Sequence, residues 1–307
     1  MNAERVAVVG AGAVGCYFGG MLARSGVPVT LIGRARHVEA IKRDGLFLER
    51  SDFQSYVRAN ADVHIEAVRE ATVILLCVKT VDTETAATAL KPHLAGGVLL
   101  VSLQNGVDNV ERIRRAAAID AVPAVVYVAV EMTGSGRVTH SGRGDLIIGE
   151  LSCSTARLGR LERVASLFTN AAVPCHISDN IAAELWTKLV INCAYNAISA
   201  LGRARYGVIK DNPLTRNLMR QVIAEVAAVA SAAGVILPDV EQLMASSLKL
   251  GDAMADATSS TAQDLARGKP TEIDSLNGYV ARRGGELGVP APVNSALHAL
   301  VKLLESA

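Results

Sequence analysis

The sequence predicts an α/β protein: a doubly wound, mostly parallel sheet followed by an all-helical C-terminal domain. Three observations carry this reading. Short β-branched runs alternate with helical periodicity as far as residue 178. The first of these runs leads through a glycine-rich turn into a helix. From residue 179 onward only helical periodicity remains. The expected domains are therefore residues 1–178 and 179–307, joined without a Pro/Gly-rich linker, a junction that predicts two domains about a cleft.

The 307 residues exceed what one core usually serves, and 50% hydrophobic with 20% charged residues describes a globular chain. A net charge of +1 without a basic cluster argues against nucleic acid as a partner. Five cysteines (Cys16, Cys77, Cys153, Cys175, Cys193) lack CxxC spacing. That pattern predicts reduced thiols and a cytoplasmic protein, without a disulfide framework or a metal site. The chain opens on an apolar strand without a signal-peptide pattern, and no apolar run approaches the roughly 18 residues that would span a membrane.

Residues 5–9 read as a buried parallel strand. Gly10-Ala11-Gly12-Ala13-Val14-Gly15 follows, then a helix over residues 16–25 and a strand over residues 27–32. This is one βαβ unit of about thirty residues, and its glycines match G-x-G-x-x-G in the required context. Gly10 would permit the tight turn, Gly12 the approach of backbone N–H groups to a pyrophosphate, and Gly15 close helix packing, as in a Rossmann-type sheet. An NAD binder places an acid at the end of the second strand; here Gly33-Arg34-Ala35-Arg36-His37 stands there, and the first acid is Glu39. A guanidinium suits a 2′-phosphate, so NADP (as NADPH) is favoured over NAD. Two solvated arginines are the alternative.

Residues 46–49 and 54–58 read as a pair of exposed strands, and residues 72–78 as another parallel strand with Lys79-Thr80 at its C-terminal end. A helix over 83–94 and a strand over 98–103 lead to Gln104-Asn105-Gly106, with helical residues 107–118 after it. Because a helix follows, Asn105 is expected at a crevice mouth and not in a hairpin. Residues 123–131 form a further strand; 138–140 and 145–149 read as two antiparallel strands, with His140 structural; 158–172 is a helix and 173–178 a short strand. Helices are expected over 181–200, 214–233, 240–250, 262–267, 272–287 and 295–304.

Lys188, Asn192 and Asn196 recur every fourth residue in an otherwise apolar helix. At about 100° per residue they share an arc of roughly 80°. A cation and two amides on such a stripe need partners from the protein or from a ligand. A second polar cluster contains Ser260 and Asp264, four apart, then Thr271-Glu272-Ile273-Asp274. Thr271 with Asp274 resembles a capping box, in which case Glu272 only favours the helix dipole.

Together these motifs resemble the ketopantoate reductase (2-dehydropantoate 2-reductase) family along essentially the whole chain. The resemblance rests on Gly10-x-Gly12-x-x-Gly15, Arg34, Lys79, Gln104-Asn105-Gly106, Lys188-x-x-x-Asn192-x-x-x-Asn196, Ser260-x-x-x-Asp264 and Thr271-Glu272-Ile273-Asp274. It implies NADPH-dependent reduction of ketopantoate to pantoate in pantothenate synthesis. Lys188 would be the general acid, with Glu272 holding substrate and tuning the lysine. Asn105 would lie where cofactor and substrate meet, and Lys79 and Arg34 at the 2′-phosphate. Asn192, Asn196, Ser260 and Asp264 would line the substrate. A homodimer through the helical domain is likewise implied by resemblance alone. Ala257 and Thr261 depart from the Asn and Met common in the family, which bears on the identity of the 2-keto acid. The alternatives are a related NAD(P)-dependent reductase for another 2-keto or 3-hydroxy acid, and a non-catalytic NADPH-binding sensor.

Overall fold

Side-chain alternation along the first strand builds the core on both faces of the sheet in the computed structural model, which describes residues 4–151 and 157–306. In β1 (Val6–Val9), Val6 and Val8 face one hydrophobic cluster while Ala7 and Val9 face the other. Buried on both sides, such a strand must be apolar throughout, and all four residues are. The first cluster takes in α1 (Ala13–Arg24), α2 (Ala35–Asp44) and α5 (Leu158–Asn170), and the second α3 (Thr83–Leu90) and α4 (Asn109–Ala117). The chain divides into two compact units, Met1–Ile181 and Ala182–Ala307.

Among the described residues, the sheet of the first unit has ten strands. After β1 these are β2 (Val29–Ile32), β3 (Leu46–Glu49), β4 (Gln54–Val57), β5 (Asn60–Asp62), β6 (Val73–Leu76), β7 (Leu99–Ser102), β8 (Val122–Gly134), β9 (Arg137–Ile148) and β10 (Cys175–Ile177). They run in the order β4-β3-β9-β8-β7-β6-β1-β2-β5, with β10 added to β9. β1 pairs in parallel with both β2 and β6, so the strand order reverses beside it. The fold class is the expected Rossmann-type one.

Several elements differ from expectation. The pair β3 and β4 is not simply exposed: Leu46 and Leu48 are buried, and a Cβ on Gly20 of α1 would sit 2.7 Å from Leu46 and 3.0 Å from Leu48. Residues 138–140 and 145–148 belong to one strand, β9, with a register break between Tyr127 and Val128 of its partner β8. The break falls at Gly144, whose φ is +144° and whose Cβ would lie 2.6 Å from the Tyr17 hydroxyl. The bulge carries β9 past Tyr17, on which the His140 ring stacks with centroids 4.6 Å apart. His140 is structural, and burial holds its pKa below the usual imidazole value. Strand β5 was not anticipated; it extends the parallel sheet beyond β2.

Among the described residues the second unit is entirely helical: α6 (Ile181–Gly202, which begins on the last residue of the first unit), α7 (Tyr206–Asp211), α8 (Pro213–Ala232), α9 (Val240–Ala253), α10 (Ser260–Ala266), α11 (Asn277–Leu287) and α12 (Pro292–Glu305). Local chemistry starts several of them. Asn212 accepts from Leu214 N–H at 2.8 Å ahead of α8, and Asp239 with Gln242 forms a reciprocal capping box on α9. At α12 the cap comes from outside the helix, because Glu225 of α8 accepts from the Val293 and Asn294 N–H groups, each at 2.9 Å. The helix expected over 272–287 is broken. A short 3₁₀ turn, Ile273–Ser275, precedes α11, and Asp274 is turned to α12 instead of closing a capping box. No helix among the described residues is long and apolar enough to cross a membrane.

In the first unit Arg112 of α4 forks onto Glu84 of α3 at 2.6 and 2.8 Å. That hydrogen bond holds the Glu84 carboxyl below its ordinary range, outweighing its desolvation. A depressed carboxyl stabilises the fold above its unfolded pKa, and the contribution is lost as pH falls through the folded one. Glu84→Gln should therefore destabilise modestly at pH 7, with the gap from the parent closing on acidification. Urea midpoints measured across pH check this, and a gap that widens at low pH would contradict it.

Candidate functional site

The ends of β1 and β6 meet where the strand order reverses, the place at which open α/β sheets bind ligands. Gly10 stands there with φ +103°, and a Cβ on it would lie 2.7 Å from Cys77 C and Val78 N. Only glycine permits both the conformation and the approach. At Gly15 a Cβ would fall 2.2 Å from the Gly10 carbonyl oxygen and 2.8 Å from Val8 Cγ1, so this glycine seats α1 on β1. Gly12 differs, being exposed, and a Cβ there would meet no atom within 4 Å. Internal packing gives no reason for glycine at that position.

Gly12 caps α1 without a side-chain hydrogen bond, and no acid stands in the first turn. The first ladder bond runs from Cys16 N–H to Gly12 O at 2.8 Å. Ala13, Val14 and Gly15 therefore present N–H groups that have no intrahelical acceptor. Ala11 is buried and donates to Ile32 O at 2.9 Å, tying the turn to the end of β2. With the helix dipole and the open space at Gly12, the turn suits an anionic diphosphate. Arg34, exposed at the start of α2, and Lys79, half-buried just beyond β6, are cations at this sheet edge.

The Gln104-Asn105-Gly106 loop is locked by a buried polar network. Gln104 accepts from Ser102 Oγ at 2.9 Å and donates to Val78 O at 3.1 Å and Thr83 Oγ1 at 2.7 Å. Thr83 donates to Asn109 Oδ1 at 3.0 Å, while Asn109 Nδ2 and Thr80 Oγ1 both donate to the Asn105 carbonyl, at 2.7 and 2.9 Å. Thr80, Thr83, Ser102, Gln104 and Asn109 are all buried. The network fixes the backbone of Asn105 against the turn that follows Lys79. Its members Thr83 and Asn109 carry no motif in the sequence. The signal was there, as small polar residues just past two apolar strands, with Asn109 four after Asn105.

In the second unit the candidate residues gather on α6. Lys188 and Asn192 are half-buried and Asn196 is buried. Ser259, not Ser260, organises the start of α10. It is 1% exposed, its Oγ donates to the Asn196 carbonyl at 3.1 Å and accepts from Ala262 N–H at 3.1 Å, and its N–H donates to Ser199 Oγ at 3.1 Å. Ser260 is the exposed first residue of α10, with Asp264 half-buried one turn on. Asn277, at the start of α11, donates to the Cys193 carbonyl at 3.2 Å, and Trp186 meets Tyr279 edge-on with centroids 5.9 Å apart. The turn carrying half-buried Glu272 thus leads straight into a residue anchored on α6. Ser260, Asp264 and Glu272 lie on segments docked to the helix that bears Lys188, Asn192 and Asn196.

Residues 6–152 match the family model described as Ketopantoate reductase PanE/ApbA, and residues 180–305 match Ketopantoate reductase PanE/ApbA C terminal. The 2-dehydropantoate 2-reductase of Archaeoglobus fulgidus is 30% identical over 100% of this chain and 99% of its own. That of Pyrobaculum aerophilum is 34% identical over 97% of each. Among solved structures, a PanE/ApbA family ketopantoate reductase from Ralstonia eutropha is 47% identical with a TM-score of 0.91, covering 99% of both chains. D-mandelate dehydrogenase with NADH and anilino(oxo)acetate shares the fold at 24% identity and a TM-score of 0.92, over 99% of this chain and 98% of that one. The fold and the matches together define an NAD(P)-dependent oxidoreductase. The chain belongs to the ketopantoate reductase family.

Gly15 and Gly12 should separate on substitution. Gly15→Ala must push backbone apart and should destabilise the fold by about 1–3 kcal/mol, whereas Gly12→Ala should leave the melting temperature nearly unchanged. Differential scanning calorimetry of the two variants decides it; equal losses would mean that Gly12 is also held by packing.

Proposed function

We propose that the chain reduces 2-dehydropantoate to pantoate with NADPH, a step of pantothenate synthesis, the first unit holding the cofactor and the second the keto acid. The observation that carries this reading is the docking, through Ser259 and Asn277, of the segments that bear Ser260, Asp264 and Glu272 onto the helix of Lys188, Asn192 and Asn196, in a chain of this family. The residues of the first unit fit the cofactor. The gap at Gly12 and the N–H groups of Ala13, Val14 and Gly15 would receive the pyrophosphate, Arg34 and Lys79 would pair with a 2′-phosphate, and Asn105 would stand where cofactor and substrate meet. NADPH, when bound, supplies the hydride.

The chain's own groups would do the rest. As negative charge grows on the carbonyl oxygen, the Lys188 ammonium stabilises it and delivers its proton there. Glu272 would help hold the substrate beside the lysine. Asn192, Asn196 and Ser260 can hold the substrate carboxylate and hydroxyl without competing for that proton, because amides and hydroxyls are neutral. Asp264 would orient this same cluster from α10.

A second reading, a different 2-keto acid as substrate, is favoured by Ala257. It replaces an amide common in the family with a methyl group, on a half-buried residue whose carbonyl accepts from Tyr206 N–H at 3.0 Å. The fold does not choose between the acids, since D-mandelate dehydrogenase shares it.

The deciding experiment offers the purified protein ketopantoate and a panel of other 2-keto acids, each with NADPH and with NADH. Ketopantoate with NADPH should give the highest kcat/KM; activity confined to another acid would establish the second reading, and a preference for NADH would remove Arg34 and Lys79 from the 2′-phosphate. Lys188→Ala should lower turnover by roughly 10²- to 10⁴-fold, the range of a lost general acid, with NADPH affinity nearly intact. Near-normal turnover would end its assigned role.

A further inference from the structure

The two residues that bracket Glu272 are both held by one stripe of α12. Thr271 is 5% exposed, and its N–H and Oγ1 both donate to Glu305 Oε1, at 2.7 and 2.5 Å. Asp274 meets His298 Nε2 at 2.6 Å and Lys302 Nζ at 3.0 Å. Lys302 also pairs with Glu305 Oε2 at 2.5 Å, so the three α12 side chains form one connected clamp. Residues 298, 302 and 305 are four and three apart, which puts them on one helix face. Inside the turn, Thr271 Oγ1 accepts from Ile273 N–H at 3.2 Å and Ser275 N–H donates to the Glu272 carbonyl at 2.9 Å.

We propose that Glu305 is a positioning residue for the reaction: by gripping Thr271 through two charge-assisted hydrogen bonds it fixes the backbone from which Glu272 acts. The inference rests on the role of Glu272 given above. The Glu305 side chain is only 14% exposed, so water competes weakly for these bonds. Burial alone would raise its carboxyl pKa, yet the bonds from Lys302 and Thr271 outweigh this and hold it below the usual range. The same holds at Asp274, where His298 and Lys302 offset desolvation. Both carboxylates stay ionised at neutral pH, and the clamp stays closed.

A double-mutant cycle between Glu305 and Glu272 tests this. Glu305→Ala should lower kcat/KM for the preferred keto acid by roughly 10²-fold, the effect of a misplaced acting group, with the KM for NADPH unchanged. In the Glu272→Ala background the same substitution should cause no further loss. Glu305→Gln keeps an acceptor for Thr271 and should recover most of the activity. Equal losses in both backgrounds would overturn the proposal and make Glu305 merely structural, as would a silent Glu305→Ala beside a strongly impaired Glu272→Ala. If Glu272→Ala is itself silent, the role of Glu272 falls and the positioning role falls with it, a result distinct from the previous two. Should Glu305→Ala not fold, Thr271→Val, which removes one donor and keeps the other, is read in the same cycle.

Discussion

The close approach of the turn after β1 to the end of β6 is the constraint on which the first unit depends. Gly10 touches the backbone of Cys77 and Val78, and Gly15 lies against the Gly10 carbonyl, at distances no Cβ tolerates. These contacts aim the start of α1 into the crevice at the reversal of strand order, so the N–H groups of its first turn converge where the sheet ends. Gly19 and Gly20 continue the same logic, lowering α1 onto Leu31, Val8, Leu46 and Leu48. A helix with ordinary side chains at these places would ride higher on the sheet and carry its N-terminus away from the crevice.

The second unit is organised around backbone acceptors on α6. Side chains from two separate segments reach helix carbonyls: Ser259 that of Asn196, and Asn277 that of Cys193. A third bond, from the Ser259 N–H, ends on the Ser199 hydroxyl, which itself donates to the Ala204 carbonyl at 2.8 Å. Buried polar groups of this kind hold a unique arrangement only when they are satisfied, since an unmade bond leaves a desolvated dipole. The segments with Ser260 and Glu272 are thereby brought to the helix with Lys188 by residues that are not themselves candidates for chemistry. The network under Gln104 does the same for Asn105.

Much of this was legible in the amino-acid order. Strands buried on both faces must be continuously apolar, so β1, β6 and β7 announce themselves, and the glycine spacing after β1 names the turn. The polar stripe on α6 stands out for the same reason, as an exception within an apolar helix. Less legible were elements whose form depends on a distant neighbour. Ser141 to Gly144 have turn composition, yet a bulge over Tyr17 keeps β9 a single strand. Thr271 with Asp274 has the spacing of a capping box, yet both side chains are drawn to α12 instead.

The sequence by itself therefore determined the class of fold, the glycine turn after β1, the stripe of Lys188, Asn192 and Asn196, and the family, because each follows from local periodicity or from motifs and their spacing along the chain. Tertiary structure alone decided that Ser259 and not Ser260 anchors α10, that Gln104 is a buried brace, that Gly12 is free of packing constraint while Gly10 and Gly15 are not, and that the turn of Glu272 is gripped from α12. The physical reason is common to all four. Each depends on which atoms meet in the folded chain, as hydrogen-bond partners 21 to 63 residues apart or as a steric approach at the glycines, and such meetings leave no periodic trace in the order of residues.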